Sequence, residues 1–262
     1  MVVRALAVEG EGPEPASGEI AVEVCVEGRE GLCAARAAGA RRVELCCALS
    51  EGGLTPSHGT LAECVAEGGI EIVVLVRPRG GDFLYSAGEF AVLERDVAAA
   101  RELGAAGVAL GCLSAEGDVD AERCARLIAR AHPLPVTFHR AFDLVRTPER
   151  ALETLIELGV ARVLTSGQAA RAFDGRARIA AFVRAAHRRL VVIAAGGVRP
   201  EHARELVQVS GVRELHLSAT VRAASAMRFQ NPVVRLGLAA EPYAHGRTDE
   251  AAVRALLAAL RA

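Results

Sequence analysis

The chain has 262 residues, 52% of them hydrophobic, and a net charge of −1. That length suffices for one large α/β core, and the near-neutral charge with 3% aromatics gives no basis for binding nucleic acid or an acidic membrane surface. All 31 basic residues are Arg, so with no Lys present, Schiff-base aldolase and pyridoxal chemistry on a protein amine is excluded.

Seven cysteines, an odd number scattered through the chain, fit reduced thiols in a cytoplasm rather than a disulfide framework. The start is too short and too acidic for a secretory signal. No apolar run approaches the ~20 residues that span a bilayer. A cytoplasmic protein is expected.

In chain order, residues 1–19 read as a flexible lead-in, rich in Gly, Pro and Glu from residue 9. Apolar strands are then expected at 20–26, 42–47, 70–77, 107–111, 135–139, 162–166, 190–195 and 214–218. Helical patterns lie between them, among them 90–103, 121–131 and 148–158. Pro148 and Pro200 suit first helical turns, with Thr147 as an N-cap. Gly39, Gly68, Gly104 and Gly159 suit helix stops. Eight strands alternating with helices predict a single-domain (β/α)8 TIM barrel over residues 20–218. An open doubly wound sheet would want a Gly-rich fingerprint after its first strand; that fingerprint is absent, and no nucleotide cofactor is expected. Residues 219–247 read as irregular and 249–262 as an amphipathic helix, so that 219–262 forms an extension packed on the barrel or at an interface.

The strands end in polar groups. Alternation along each strand puts Val22, Val24 and Val26 on one face and Glu23 and Cys25 on the other. It likewise separates Val43 and Leu45 from Glu44 and Cys46, Val136 and Phe138 from Thr137 and His139, and Leu215 and Leu217 from His216 and Ser218. The polar set should point inward toward the C-terminal mouth, where barrel enzymes place their sites. Glu23, Glu44, Arg77, Arg79, His139, Arg140, Asp143 and His216 are therefore expected to share a pocket, with Arg77 pairing with Glu44 or Glu23. Charges facing a barrel interior must be paired or solvated, so simple ion pairs filling the barrel fit the same pattern.

Small residues after strands six to eight, Ser166, Gly196, Gly197 and Ser218, could cradle a phosphate with backbone N–H groups; a tight βα turn explains the glycines equally well. Cys25 and Cys46 occupy equivalent places on strands ~4.8 Å apart. Two thiolates there would suit Cu(I), or the thiols only pack. The remaining cysteines lack ligand spacing, and Cys47 faces away. The segment 80–86, with Tyr85, reads as a lid or as a fixed turn.

The blocks Glu23-Val24-Cys25-Val26, Val43-Glu44-Leu45-Cys46, Ser50-Glu51-Gly52-Gly53-Leu54-Thr55-Pro56-Ser57, Arg77-Pro78-Arg79-Gly80-Gly81-Asp82-Phe83-Leu84-Tyr85-Ser86, Thr137-Phe138-His139-Arg140-Ala141-Phe142-Asp143 and Leu164-Thr165-Ser166-Gly167 resemble the signature blocks of the CutC copper-homeostasis family. The resemblance runs over about residues 18–231. It implies a cytoplasmic (β/α)8 barrel that assembles with copies of itself, taken as a dimer, and Cu(I) held by Cys25 and Cys46. Two departures stand out. Ala195 replaces the first of three glycines after strand seven, and Leu217 occupies a position that is often small or Cys.

Two functions follow. One is a copper-homeostasis protein that binds Cu(I) through Cys25 and Cys46. The other is an enzyme acting on a small phosphate- or carboxylate-bearing substrate. In it, His139 is the acid or base, Asp143, Glu44 or Glu23 the carboxylate beside it, and Arg77, Arg79 and Arg140 hold the anion with Ser166, Gly196, Gly197, His216 and Ser218.

Overall fold

Runs of β-branched and aliphatic residues that bury both faces make strands that can only pair within a covered sheet. In the computed structural model, which describes residues 19–234 and 242–261, these runs become Ala21–Val26 (β1), Arg42–Leu45 (β2), Glu71–Leu75 (β3), Gly107–Leu110 (β4), Val136–Phe138 (β5), Arg162–Thr165 (β6), Val191–Ala195 (β7) and Glu214–Leu217 (β8). They pair in chain order, all parallel, and β8 closes on β1 through the register Glu23 to His216. The expected barrel is present. Helices Arg29–Ala38 (α1), His58–Glu67 (α2), Ala87–Glu102 (α3), Ala121–Ala131 (α4), Pro148–Glu157 (α5), Arg176–Ala186 (α6) and Pro200–Ser210 (α7) follow β1 to β7 in turn. None of the described helices is long and apolar enough to cross a membrane.

Local chemistry sets the helix limits. Gly39 ends α1 at φ 92°, donating its N–H to the carbonyls of Ala35 and Arg36. Helix α3 begins at Ala87, three residues before the apolar periodicity suggests, because Ser86 and Glu89 form a reciprocal capping box. Thr147 precedes α5 as expected, but its hydroxyl makes no cap hydrogen bond; Pro148 alone shapes that start.

The segment read as irregular differs. Thr220–Ala224 (β9) and Ala244–Thr248 (β10) pair antiparallel, Thr220 opposite Thr248. Alternation of polar and apolar residues is weak in Thr220–Ala224 and absent in Ala244–Thr248, and the partner lies twenty residues away, so the local signal for the pairing is weak. Glu250–Arg261 (α8) buries Val253 and Leu256 against α1 and α7, completing the outer ring next to β8. Residues 1–18 of the lead-in, and 235–241 and Ala262 of the extension, lie outside the described residues.

The pleat assignment holds on both faces. Val22, Val24, Val26, Val43, Leu45, Val136, Phe138, Leu215 and Leu217 join the outer core under the helices. Cys25, Cys46, Val73, Leu75 and Ala109 form one apolar cluster inside the barrel, and Leu164, Ile193 and Ala195 another. Inside the barrel the sequence reading missed a cation, Arg42, which is 3% exposed. Its Nε donates to Glu23 Oε2 and its Nη2 to Glu214 Oε2 at 2.6 Å.

A buried cation between two buried carboxylates makes each charge depend on the others. Arg42→Met removes the cation shared by Glu23 and Glu214, leaving Glu23 with His216 and Glu214 with the more distant Arg162 at 3.6 Å. Chemical denaturation should show a loss of about 3–5 kcal/mol; a loss below about 1 kcal/mol would mean that the cluster is well solvated.

Candidate functional site

Cys25 lies opposite Glu44 in the β1–β2 register, and Cys46 follows directly on β2. Both thiols therefore face the barrel axis at the mouth end. Cys25 Sγ lies 3.3 Å from Cys46 Sγ and 3.5 Å from Glu44 Oε2. His216, brought beside β1 by barrel closure, has Nδ1 2.8 Å from Glu23 Oε1 and Nε2 3.8 Å from Glu44 Oε2. One ligand atom each from Cys25, Glu44 and His216 fall within 4.8 Å of one another. Cys46, two residues nearer the C-terminal mouth than Glu44, packs against this group: it is fully buried, in contact with Cys25, and 3.6 Å from the Val26 carbonyl. Cys47 faces away, toward the Thr55 carbonyl, as the pleat requires.

Charge organises these donors. Burial alone would raise the Glu23 carboxyl, but Arg42 and His216 overcome it and bring the pKa from 4.5 to about 2. A charged Glu23 accepts the Nδ1–H of His216, which leaves Nε2 on the side of Glu44, 3.8 Å from its Oε2, as the nitrogen that a metal would take in exchange for a proton. For His216, burial favours the neutral ring, yet the carboxylates of Glu44 and Glu23 outweigh it and its pKa is raised. Burial also raises Glu44. The hydrogen bond with Cys46, burial and the Glu44 charge push the Cys25 thiol well above its ordinary 9.0. Without a metal, Cys25 is thus a protonated thiol.

The opposite wall is built from β3 and β5. It borders the same cavity as Cys25, about 230 Å³ in volume, through Arg77, Phe83, His139 and Arg140. Gly196, Gly197 and Ser218 complete the rim, and Glu44 and His216 lie on the Cys25 side. Eight of the residues singled out in the sequence, Cys25, Glu44, Arg77, His139, Arg140, Gly196, Gly197 and His216, thus border one space. Ser218 is a ninth.

Other expectations are corrected. Arg77 pairs with neither Glu44 nor Glu23; its guanidinium donates to the carbonyls of Glu51, Gly53 and Gly81, because the loops after β2 and β3 fold over it. Arg79 lies outside the cavity, bound to Glu89 and Asp82. Asp143 does not orient His139. It accepts from Arg140 Nε, Thr165 Oγ1 and the N–H of Ser166, tying the turn after β5 to the end of β6. Ser166 is buried there between Arg140 and the Ala169 carbonyl, off the cavity. His139 Nδ1 accepts the Ala141 N–H, and burial with the nearby Arg77 charge lowers its pKa to about 3. Tyr85 is buried under Arg79 instead of reaching over the mouth; Phe83 of the same segment lines the cavity.

Sequence reasoning missed Arg42, Glu214 and Phe83. The first two were available from pleat parity, since Arg42 shares a face with Glu44, and Glu214 with His216.

The six sequence blocks now have their partners in space, and the chain matches the CutC family over residues 20–221. It belongs to that family. It is 46% identical to the CutC family protein of Mesorhizobium japonicum, over 92% of this chain and 94% of the relative. It is 43% identical to the human copper homeostasis protein cutC homolog, over 94% and 90%. The solved structure of CutC from Streptococcus agalactiae superposes with a TM-score of 0.72 at 33% identity, covering 75% of this chain and 97% of that one.

The two histidines should separate cleanly on titration followed by nitrogen NMR. His139 should stay neutral, with its proton on Nε2, between pH 5 and 8. His216 should titrate above its ordinary 6.5, and Glu23→Gln should lower that value. His139 protonating near pH 6.5 would contradict the burial argument. Glu23 adds an acid limit. Its folded pKa of about 2 lies below the ordinary 4.5, so the folded state binds fewer protons between those values. The stability it contributes, full above about pH 5, should drain away as pH falls toward 2. Glu23→Gln should flatten that part of the profile measured by denaturation.

Proposed function

We propose that this CutC-family chain handles copper as cargo, holding Cu(I) between Cys25 and Cys46 at the barrel mouth. The observation that carries this reading is the 3.3 Å approach of the two thiols, beside an imidazole whose Nε2 is left free by the Nδ1 bond to Glu23. Soft thiolate ligands select Cu(I). The human relative's name, copper homeostasis protein, supports the same ion. His216 Nε2 and Glu44 stand within reach as a third and fourth donor. Those four donors would also suit tetrahedral Zn(II), so the two thiols in contact, and not the donor count, favour copper. All seven cysteines are free, which suits the reducing cytoplasm to which we assign the protein.

The acid–base alternative has less support. His139 carries no carboxylate partner, and its low pKa leaves it a neutral hydrogen-bond donor over the physiological range.

Binding must displace the Cys25 proton, so affinity should rise with pH and protons should be released. Anaerobic titration of Cu(I) against a competing chelator should give one ion per chain, preferred over Zn(II). Cys25→Ser/Cys46→Ser should abolish it. Glu23→Gln, which lies outside the ligand set, should weaken it about 10–100-fold. Unchanged affinity in the double variant would reduce the thiols to packing residues.

A further inference from the structure

The wall of the cavity facing Cys25 carries a charge that the protein does not balance. Arg77 is 7% exposed. Its Nη1 donates to the carbonyls of Glu51 and Gly53 at 2.8 and 3.0 Å, and its Nη2 to that of Gly81 at 2.8 Å. These partners are dipoles, and among the described residues no carboxylate forms an ion pair with it. Its Nε is buried and has no hydrogen-bond partner. Beside it, His139 is 4% exposed. Its Nδ1 accepts the Ala141 N–H at 3.3 Å, so the ring proton resides on Nε2, and that atom too is buried without a partner. The Phe83 ring covers both groups, 5.0 Å from the Arg77 guanidinium carbon and 4.7 Å from the imidazole centre. All three residues border the same cavity.

A buried cation without a counter-charge and a buried N–H without an acceptor are each unfavourable, and native interiors contain few of either. Two such donors side by side, at the edge of a cavity, describe a site for an acceptor that carries negative charge. We propose that this wall binds a small monocarboxylate, with Arg77 Nε and His139 Nε2–H donating to its two oxygens as the Phe83 ring shifts aside. Arg140 stands at the outer rim. Its Nε and Nη2 are held by Asp143 and Ser166, and its guanidinium packs over Gly196, where a Cβ would come within 3.1 Å of it.

Charge balance selects the class of anion. Arg140 is neutralised by Asp143 at 2.8 Å, and His139 is held neutral by burial and by Arg77. Glu44 and His216, which also line the cavity, face each other at 3.8 Å, so one unpaired positive charge, that of Arg77, remains. A monocarboxylate matches it. A phosphate ester, carrying close to two negative charges at neutral pH, brings an excess into a cavity that already holds Glu44. The Phe83 backbone is fixed by the Leu113 N–H at 2.9 Å, so the shift required is a rotation of its side chain alone. This site is independent of the copper reading, since neither thiol contributes to it.

The test is calorimetric titration of the full-length, metal-free protein with propionate, lactate and inorganic phosphate at constant ionic strength and pH 7.5. Saturable binding of a carboxylate is expected, tighter than that of phosphate. His139→Leu should weaken it at least tenfold, while His139→Gln, which keeps an N–H donor, should stay within about threefold. Cys25→Ser/Cys46→Ser should bind the carboxylate as wild type does, whatever its behaviour toward copper. Because Arg77 also holds two loops, its part is read without mutation: its Nε–H signal in nitrogen NMR should move on titration. No saturable binding of either carboxylate with that signal unmoved, or equal affinity in His139→Leu, overturns the proposal. Tighter binding of phosphate overturns the assignment of a monocarboxylate.

Discussion

The arrangement at the barrel mouth depends on the ion cluster in which Arg42 bridges Glu23 and Glu214 inside the barrel. Burial works against the charge on Glu23 in that interior. With Arg42 beside it, Glu23 stays ionised and directs the proton of His216 to Nδ1. Nε2 is then the nitrogen left on the side of Glu44 and Cys25, whose ligand atoms lie within 4.8 Å of it. A buried salt bridge thus decides which atom the mouth presents, as the carboxylate partner of a ligating histidine does in metal sites generally.

Barrel closure is the second requirement. Cys25 and Glu44 are neighbours through the β1–β2 register, but His216 reaches them only because β8 pairs with β1. Helix α8 stands where that closure needs covering, packed on α1 and α7. The mouth then divides into two unlike walls. One gathers sulfur, carboxylate and imidazole; the other gathers guanidinium groups and a neutral imidazole N–H. On the two readings proposed above, a soft cation would suit the first and an anion the second.

Much of this was legible in the sequence, and the reason is periodicity. Alternation along β1, β2, β5 and β8 separated Val22 from Cys25 and Leu45 from Cys46, since a strand has two faces and only one meets the helices. The same rule would have placed Arg42 and Glu214 inside, had it been followed away from the mouth. What stayed hidden lies in loops. Arg77 spends its donors on the carbonyls of Glu51, Gly53 and Gly81, and Asp143 on the turn around Ser166; aperiodic backbone offers no pattern from which to read such bonds. The pairing of β9 with β10 was hidden for the same reason, with weak alternation and a distant partner. The six blocks carried the family, but not the division of their side chains between two walls.

The central claim is that the cluster at Arg42 and Glu23 presents His216 Nε2 and the paired thiols to one copper ion. X-ray absorption spectroscopy of the Cu(I)-loaded protein tests it most directly. The account predicts two sulfur scatterers and one imidazole nitrogen around copper, with the nitrogen lost in Glu23→Gln or His216→Ala. Copper surrounded only by nitrogen and oxygen, or a spectrum unchanged by Cys25→Ser/Cys46→Ser, would contradict it.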